Sequence, residues 1–269
     1  METLEHAPPQ ETQQQNQKSP ITKENLMGFL NRYYLDGEIE RTRVSYSHDT
    51  QVLTTSFRST DESIVGTVDL KAFPFHRDFD VAIHDTTRLK KLIGILEQDI
   101  DMELEWVHEP VSIYFTDDFK KVRYILGNKV AISKVSGEPN ADIDWNIEFD
   151  LEPTFVSNFK SGVKALEHGS FAIDTSDDGR MKIVLGYMNR GSNNSVNLYP
   201  DPDTFNFSPK PNKPLVFNGK RCTKMFSAND GSVESRCQIS SDMEIMKMTF
   251  SNDQFNSTYY MSAINPGNM

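Results

Sequence analysis

The sequence predicts an α+β fold with antiparallel sheets, arranged in two halves of similar size, and three features carry that expectation. Helical periodicity occurs in only four places; strand-like runs are grouped between those helices without strict βαβ alternation; and the order helix, strands, helix, strands occurs twice. The halves share this order but no obvious residue identity, so the repeat is one of architecture. A chain of 269 residues is long enough for two ordinary domains, and 37% hydrophobic residues can furnish a packed core.

Residues 1–20 are rich in Gln and Pro and poor in large aliphatic side chains, so they are expected to be a disordered tail. The first domain is expected over 21–127. Its first helix follows Thr22, a good N-cap, with Leu26, Phe29, Leu30 and Tyr33 on one face, and Asp36-Gly37 should end it. Strand-like runs follow at 38–47, 50–59, 63–70 and 78–85, the last with Phe79, Val81 and Ile83 alternating. A second helix is predicted over 86–98, from Leu89, Leu92, Ile93 and Leu96, and then three strands at 101–109, 110–118 and 120–127.

Residues 128–144 combine Gly, Pro and weak periodicity, which marks a surface connector. The second domain, 145–269, opens with a strand at 144–152. A helix then begins at Pro153, with Phe155, Phe159, Val163 and Leu166 on one face. A hairpin turning at Asp178-Gly179 is expected next, then short strands at 195–200 and 203–209. A fourth helix is predicted over roughly 214–228, burying Cys222, Met225 and Phe226. Three strands close the chain.

No phosphate-binding glycine loop, HExxH or CxxC occurs, and the six histidines are scattered. Asp78, Asp80 and Asp85 are better explained as solvent-face strand residues and a helix cap than as a metal cluster. Asp117-Asp118 and Asp177-Asp178 are expected in turns, and Cys222 in the core. No catalytic constellation, metal site or cofactor is therefore expected. Two cysteines, a polar acidic N-terminus and the lack of a long apolar run point to a soluble protein of a reducing compartment, away from membranes.

Charge is distributed unevenly. The chain has 28 Lys and Arg against 39 Asp and Glu, a formal charge of −11. The helical windows 22–35, 86–98, 153–168 and 213–228 nevertheless hold eleven basic residues against Glu24, Glu97 and Glu167. Glu forms helices as readily as Lys, so propensity alone does not explain its scarcity there. A basic face on the helices is expected from Lys23, Arg32, Arg88, Lys90, Lys91, Lys160, Lys164, Lys220, Arg221 and Lys224.

The stretch DFDVAIHDTTRLKKLIGILEQDIDMELE (78–105) resembles the strand–helix–strand core of the first domain of the sliding clamps of T-even bacteriophages. DTFNF (203–207), followed by a helix and three strands, is similar to the end of their second domain. The order of elements matches through most of 21–264, while the tail, the connector and the Pro-rich SPKPNKPL depart from the pattern.

The resemblance implies two clamp-type domains per chain and a homotrimeric closed ring around duplex DNA, helices lining the hole and sheets forming the wall. It implies a processivity factor without chemistry of its own. Its partners would be the viral DNA polymerase, a clamp-loader ATPase complex and late-transcription factors, in the cytoplasm of an infected host cell. Twelve helices spaced ~10 Å apart give a circumference of ~120 Å and an axis-to-axis diameter of roughly 38 Å, wide enough for a hydrated duplex. Partner peptides would enter a hydrophobic pocket near the connector, to which Val130, Ile132 and Val135 would contribute. The competing expectations are an enzyme, a small hydrolase with a site assembled from scattered Asp and His, and a non-catalytic single-strand DNA-binding or accessory structural protein, with Trp106, Trp145 and the Tyr pairs as stacking platforms.

Overall fold

The structure is a computed structural model that describes residues 21–139, 142–166, 169–175, 180–188, 194–201, 203, 205–207 and 213–264. The tail and the expected turn at 177–179 lie outside the described residues. The first half runs β1 (Ile21–Thr22), α1 (Lys23–Tyr34), β2 (Thr42–Ser47), β3 (Val52–Arg58), β4 (Ile64–Leu70), β5 (Phe79–Ile83), α2 (Thr86–Gly94), β6 (Asp99–Trp106), β7 (Pro110–Thr116) and β8 (Lys121–Ile125). The second runs β9 (Ile147–Asp150), α3 (Pro153–Ala165), β10 (Ser170–Thr175), β11 (Met181–Leu185), β12 (Val196–Leu198), β13 (Asn206–Phe207), β14 (Leu215–Asn218), α4 (Gly219–Ala228), β15 (Glu234–Ser240), β16 (Ile245–Ser251) and β17 (Phe255–Ser262).

All strand pairs are antiparallel. The first half contains the orders β1-β6-β7-β8 and β5-β2-β3-β4. The second contains β9-β15-β16-β17, with β13 outside β9, and β14-β10-β11-β12. Strand for strand these are the same two sheets, so the repeat of element order is a repeat of topology. The halves are fused where β17 pairs with β4, from Phe255↔Leu70 to Met261↔Ile64, which makes one nine-stranded sheet. Gly66 faces Tyr259 at this seam. A Cβ there would lie 2.5 Å from the Thr258 carbonyl oxygen and 2.7 Å from the Phe57 ring, so the two strands approach this closely only because residue 66 has no side chain.

The helices begin where the sequence supplies caps. Thr22 Oγ1 accepts the Asn25 N–H (3.2 Å), Asp85 the Arg88 N–H (2.7 Å), and Asn218 the Arg221 N–H (3.1 Å). Helix α1 stops one residue before the expected Asp-Gly, with Leu35 (φ 47°), Asp36 and Gly37 all left-handed. Two expectations need correction. The second helix ends at Gly94 rather than at 98, because Leu96 turns into the core while Lys23 Nζ donates to the Gly94 (2.7 Å) and Leu96 (2.6 Å) carbonyls. The fourth begins at Gly219: Leu215–Asn218 is a strand paired with β10, and its Leu-Val-Phe run is buried on both faces.

Candidate nucleic-acid interface

The four helices lie side by side in the order α2, α1, α4, α3. Tyr33 and Tyr34 of α1 hydrogen-bond to Thr86 (3.2 Å) and Thr87 (2.7 Å) at the start of α2. Phe159 of α3 meets Phe226 of α4 edge to face at 5.2 Å. Apolar faces point to the sheets: Leu26, Phe29 and Leu30; Leu89 and Ile93; Phe159 and Val163; Cys222, Met225 and Phe226 are all buried. The remaining face of each helix is left to solvent. Positive charge is concentrated on the helices, since the four hold ten Lys and Arg and a single acid, Glu24.

Those ten cations have different duties. Arg32 has to be removed from the solvent face: it is 6% exposed, with its guanidinium 3.8 Å from the centre of the Phe255 ring and donating to the Gly28 carbonyl (3.0 Å). Burial lowers its pKa, with the hydroxyl of Tyr259 opposing. Lys23 closes the carbonyl end of α2. Lys90 is half-buried, its ammonium 4.3 Å from the centre of the Tyr34 ring, and burial lowers its pKa against the pull of Asp36 and Glu40.

Arg221 and Lys224 tie the halves together. Arg221 pairs with Glu38 (3.0 Å) and Asp61 (2.8 Å) and donates to Ser63, while Lys224 pairs with Glu38 (2.7 Å) and reaches the Asp36 carbonyl (3.2 Å). Partial burial would raise the pKa of Asp61. Hydrogen bonds from Ser59, Arg221 and Ser63 outweigh it and hold the carboxyl well below the usual range. Sequence reasoning cannot find Glu38 and Asp61, because nothing local links either of them to residue 221.

Arg88, Lys91, Lys160, Lys164 and Lys220 have no ion-pair partner among the described residues. Lys160 is half-buried and the other four are exposed; the Lys220 stem runs along Gly169. Ser157, Ser161 and Lys164 follow at i, i+4 and i+7 on the exposed face of α3, an arrangement the charge count alone overlooks. Between the halves, Asn31, Lys90, Thr223, Lys224 and Ser227 line a cavity of about 390 Å³ open on the helix layer.

The connector crosses the opposite side. Val130 stands 89% exposed at its tip, Ile132 packs over Gly127, and Val135 lines a cavity of about 480 Å³ with Val65, Ile245 and Tyr260. The three apolar residues thus diverge and do not form one pocket. Gly137 pins the chain to the sheet, where a Cβ would fall 1.7 Å from Thr67 Oγ1.

The carboxylates considered as metal ligands are each engaged in local structure. Asp78 accepts the His48 N–H (2.6 Å), Asp80 pairs with Arg43, and Asp85 caps α2. Cys222 is buried, and burial pushes its thiol up. Of the tryptophans, Trp106 is exposed with Arg77 3.9 Å from the centre of its ring, and Trp145 is half-buried against Tyr260 with Lys247 beside both.

No protein-family model and no curated protein sequence matches the chain. Among solved structures it is similar to the PCNA of A. fulgidus, in a structure with the C-terminal region of FEN-1 bound, at TM-score 0.70 and 11% identity over 91% of this chain and 97% of that one. It is also similar to the proliferating cellular nuclear antigen of Entamoeba histolytica, at TM-score 0.66 with the same identity and coverage. The fold is the PCNA clamp fold. Both clamp structures are spanned almost end to end, so the correspondence takes in both halves and the seam between them. At 11% identity it is a correspondence of backbone, and the roles of individual side chains rest on their own geometry.

Proposed function

We propose that this chain is a sliding clamp: a ring subunit that encircles duplex DNA and tethers a polymerase to it. The observation that carries this is the helix layer, ten cations against one acid in a chain of net charge −11, on a clamp fold. Phosphates would meet Lys160, Lys164 and Lys220 without any base being read, and such contacts permit sliding. The net negative charge carried outside the helices discourages DNA from binding elsewhere. A polymerase held on the ring finds its primer end again at high effective concentration.

The repeated topology supports ring closure. Counterparts of the seam strands β17 and β4 are β8 and β12, and each of these has one edge with no strand partner among the described residues. Pairing β8 of one copy with β12 of the next would repeat the seam between chains and remove both edges. We read the ring as a homotrimer, six domains around the hole. The phage assignment rests on the stretch 78–105. With it come the viral polymerase, a clamp-loader ATPase, late-transcription factors and the host cytoplasm as setting. Partner peptides would use the cavity beside Val135.

Retention on DNA tests the proposal. Loaded onto nicked circular duplex, the protein should remain bound through gel filtration and be lost when the circle is linearised. Lys160→Glu with Lys164→Glu should weaken binding to linear duplex without changing solution mass. Equal retention on circular and linear DNA, or a monomer at every concentration, would overturn it.

A further inference from the structure

We propose that the open edge of β6 is the docking site of residues 15–20 of the same chain, which pair with it as a strand, with Lys18 bridging Asp101 and Glu103, and lead residues 1–14 out beside the connector. The inference concerns a single subunit and does not depend on the ring.

Strand β6 is bordered by β7 on one side and by β1 on the other. Along its eight residues β7 covers Asp101 to Trp106, but β1 covers only Asp99 and Ile100, opposite Thr22 and Ile21. From Asp101 onward the β1 side has no strand partner among the described residues, and an edge left open in this way recruits a strand. The chain that precedes Ile21 begins at this edge, already in register. Continued backwards, the ladder sets Pro20 opposite Asp101, Ser19 opposite Met102, Lys18 opposite Glu103, Gln17 opposite Leu104 and Gln15 opposite Trp106.

The second half shows the same ladder completed. Strand β9 leads into α3 as β1 leads into α1, and it pairs with β15 from Asp150↔Arg236 to Ile147↔Ile239. The Leu151 N–H donates to the Ser235 carbonyl (2.8 Å) and the Lys23 N–H to the Gln98 carbonyl (2.7 Å), so both ladders have the same phase counted from the first helical residue. The hydrogen-bonded positions before α1 are then 21, 19, 17 and 15. Pro20, which has no N–H to give, falls where that group would point away from β6. Position 18 is also non-bonded, and there opposite side chains stand closest.

By the same count Lys18 corresponds to Glu148, Asp101 to Arg236 and Glu103 to Gln238. Glu148 pairs with Arg236 (2.6 Å) and accepts from Gln238 Nε2 (2.9 Å). The first half thus carries this bridge with its signs reversed. Asp101 and Glu103 are both exposed; among the described residues Asp101 has no ion-pair partner and Glu103 has only Lys121 (3.2 Å). Lys18 is the one Lys or Arg in residues 1–20, and the register brings it to these two acids. The inward positions differ, since Ile147 and Phe149 are buried whereas 17 and 19 are Gln and Ser. The ladder and the bridge therefore hold this strand with little apolar burial, and it opens more easily than β9. Past Trp106 the chain reaches the β6–β7 turn, where Glu109 pairs with Lys129 of the connector (3.3 Å), and residues 1–14 leave there.

Amide hydrogen exchange of the full chain, resolved by residue, tests this. Gln17, Ser19, Met102 and Leu104 should exchange about tenfold or more slower than an unstructured chain. Gln17→Pro removes a bonded N–H and should cut that protection severalfold, whereas Asn16→Pro removes one that points outward and should not. Lys18→Glu should cut it about fivefold at low salt, and adding Asp101→Arg with Glu103→Gln, which copies the second half, should restore it. A nitroxide on Gln15→Cys should broaden the Trp106 and Val107 signals, the native cysteines being buried. Free exchange throughout 15–20 would overturn the inference, as would a Lys18→Glu variant protected like wild type. Protection of Met102 and Leu104 that survives Gln17→Pro unchanged would mean that another strand covers the edge, and would overturn it too.

Discussion

Replacing Arg221 by Ala should weaken the join between the halves, and the structure sets how far. Its bonds to Glu38 are nearly out of solvent, with 20% and 17% of the two side chains exposed, whereas Asp61 is 53% exposed. A hydrogen bond to a charged group contributes ~1.5–3 kcal/mol when sheltered, and an exposed pair nearer ~0.5. Glu38 keeps Lys224 at 2.7 Å and so is not left bare, which argues for a total loss of about 2–2.5 kcal/mol. For a chain of this size each kcal/mol moves the melting temperature by ~2–4 °C, so the variant should melt roughly 4–10 °C below wild type. Differential scanning calorimetry at low salt gives the number. In ~1 M salt, where the Debye length is ~3 Å, the Asp61 share should fade and the Glu38 share persist. An unchanged melting temperature would refute the assignment of Arg221 to the seam and return it to the solvent face.

Arg32→Met should leave stability unchanged or raise it slightly, because it removes a buried cation whose Nε has no partner and keeps the stem that packs on Phe255; thermal melts would show it. Gly66→Ala forces a Cβ onto backbone at the seam and should cost more than ~3 kcal/mol, while Gly137→Ala meets only Thr67 and Ser56 side chains and can be relieved by lifting the connector, for ~1–2 kcal/mol. Urea titrations that ranked the two glycines in reverse would contradict the geometry. Asp61→Asn should destabilise at neutral pH. The folded-state pKa of Asp61 is depressed, so its contribution is full above the unfolded value of ~3.9 and is lost as pH falls toward the lower folded value. Melting temperatures of variant and wild type should therefore converge below pH 4 and stay apart above it.

Local pattern made much of this molecule legible. Leu26, Phe29, Leu30 and Tyr33 recur at helical spacing, and all four are buried. The stop after Tyr34 and the caps at Thr22 and Asp85 follow from residue chemistry alone. Leu215-Val216-Phe217 does not declare itself, because a short apolar run fits a buried strand and the start of a helix equally well, and only pairing with β10 decides. Charge on a helix is legible as a count but not as an address. Arg32 follows Gly28 by one turn, and the space left by that glycine admits Phe255 from the far end of the chain. Arg221 finds Glu38 and Asp61 only once β17 has docked on β4. The candidate interface was therefore readable as a set of helices and unreadable as a set of side chains.

The sorting of those side chains changes how such a ring would hold DNA. Lys23, Arg32, Arg221 and Lys224 are engaged within the protein, and Lys90 lies on Tyr34. Arg88, Lys91, Lys160, Lys164 and Lys220 would be left for phosphates in each subunit. If three of these touch a duplex at once, log K should fall with log salt at a slope of about −2.7, so a fourfold rise in salt costs about fortyfold in affinity. So few contacts give a weak, quickly exchanging grip, which suits sliding and cannot by itself provide residence. Residence must then come from closure of the ring. Raising salt should speed diffusion along a circular duplex while leaving residence on it nearly unchanged, until the salt is high enough to open the junction between copies. On linear DNA with free ends, residence should shorten from the first increment of salt. Single-molecule tracking on end-blocked and end-free DNA separates the two regimes. Parallel loss on both templates would mean that charge, and not topology, retains the protein.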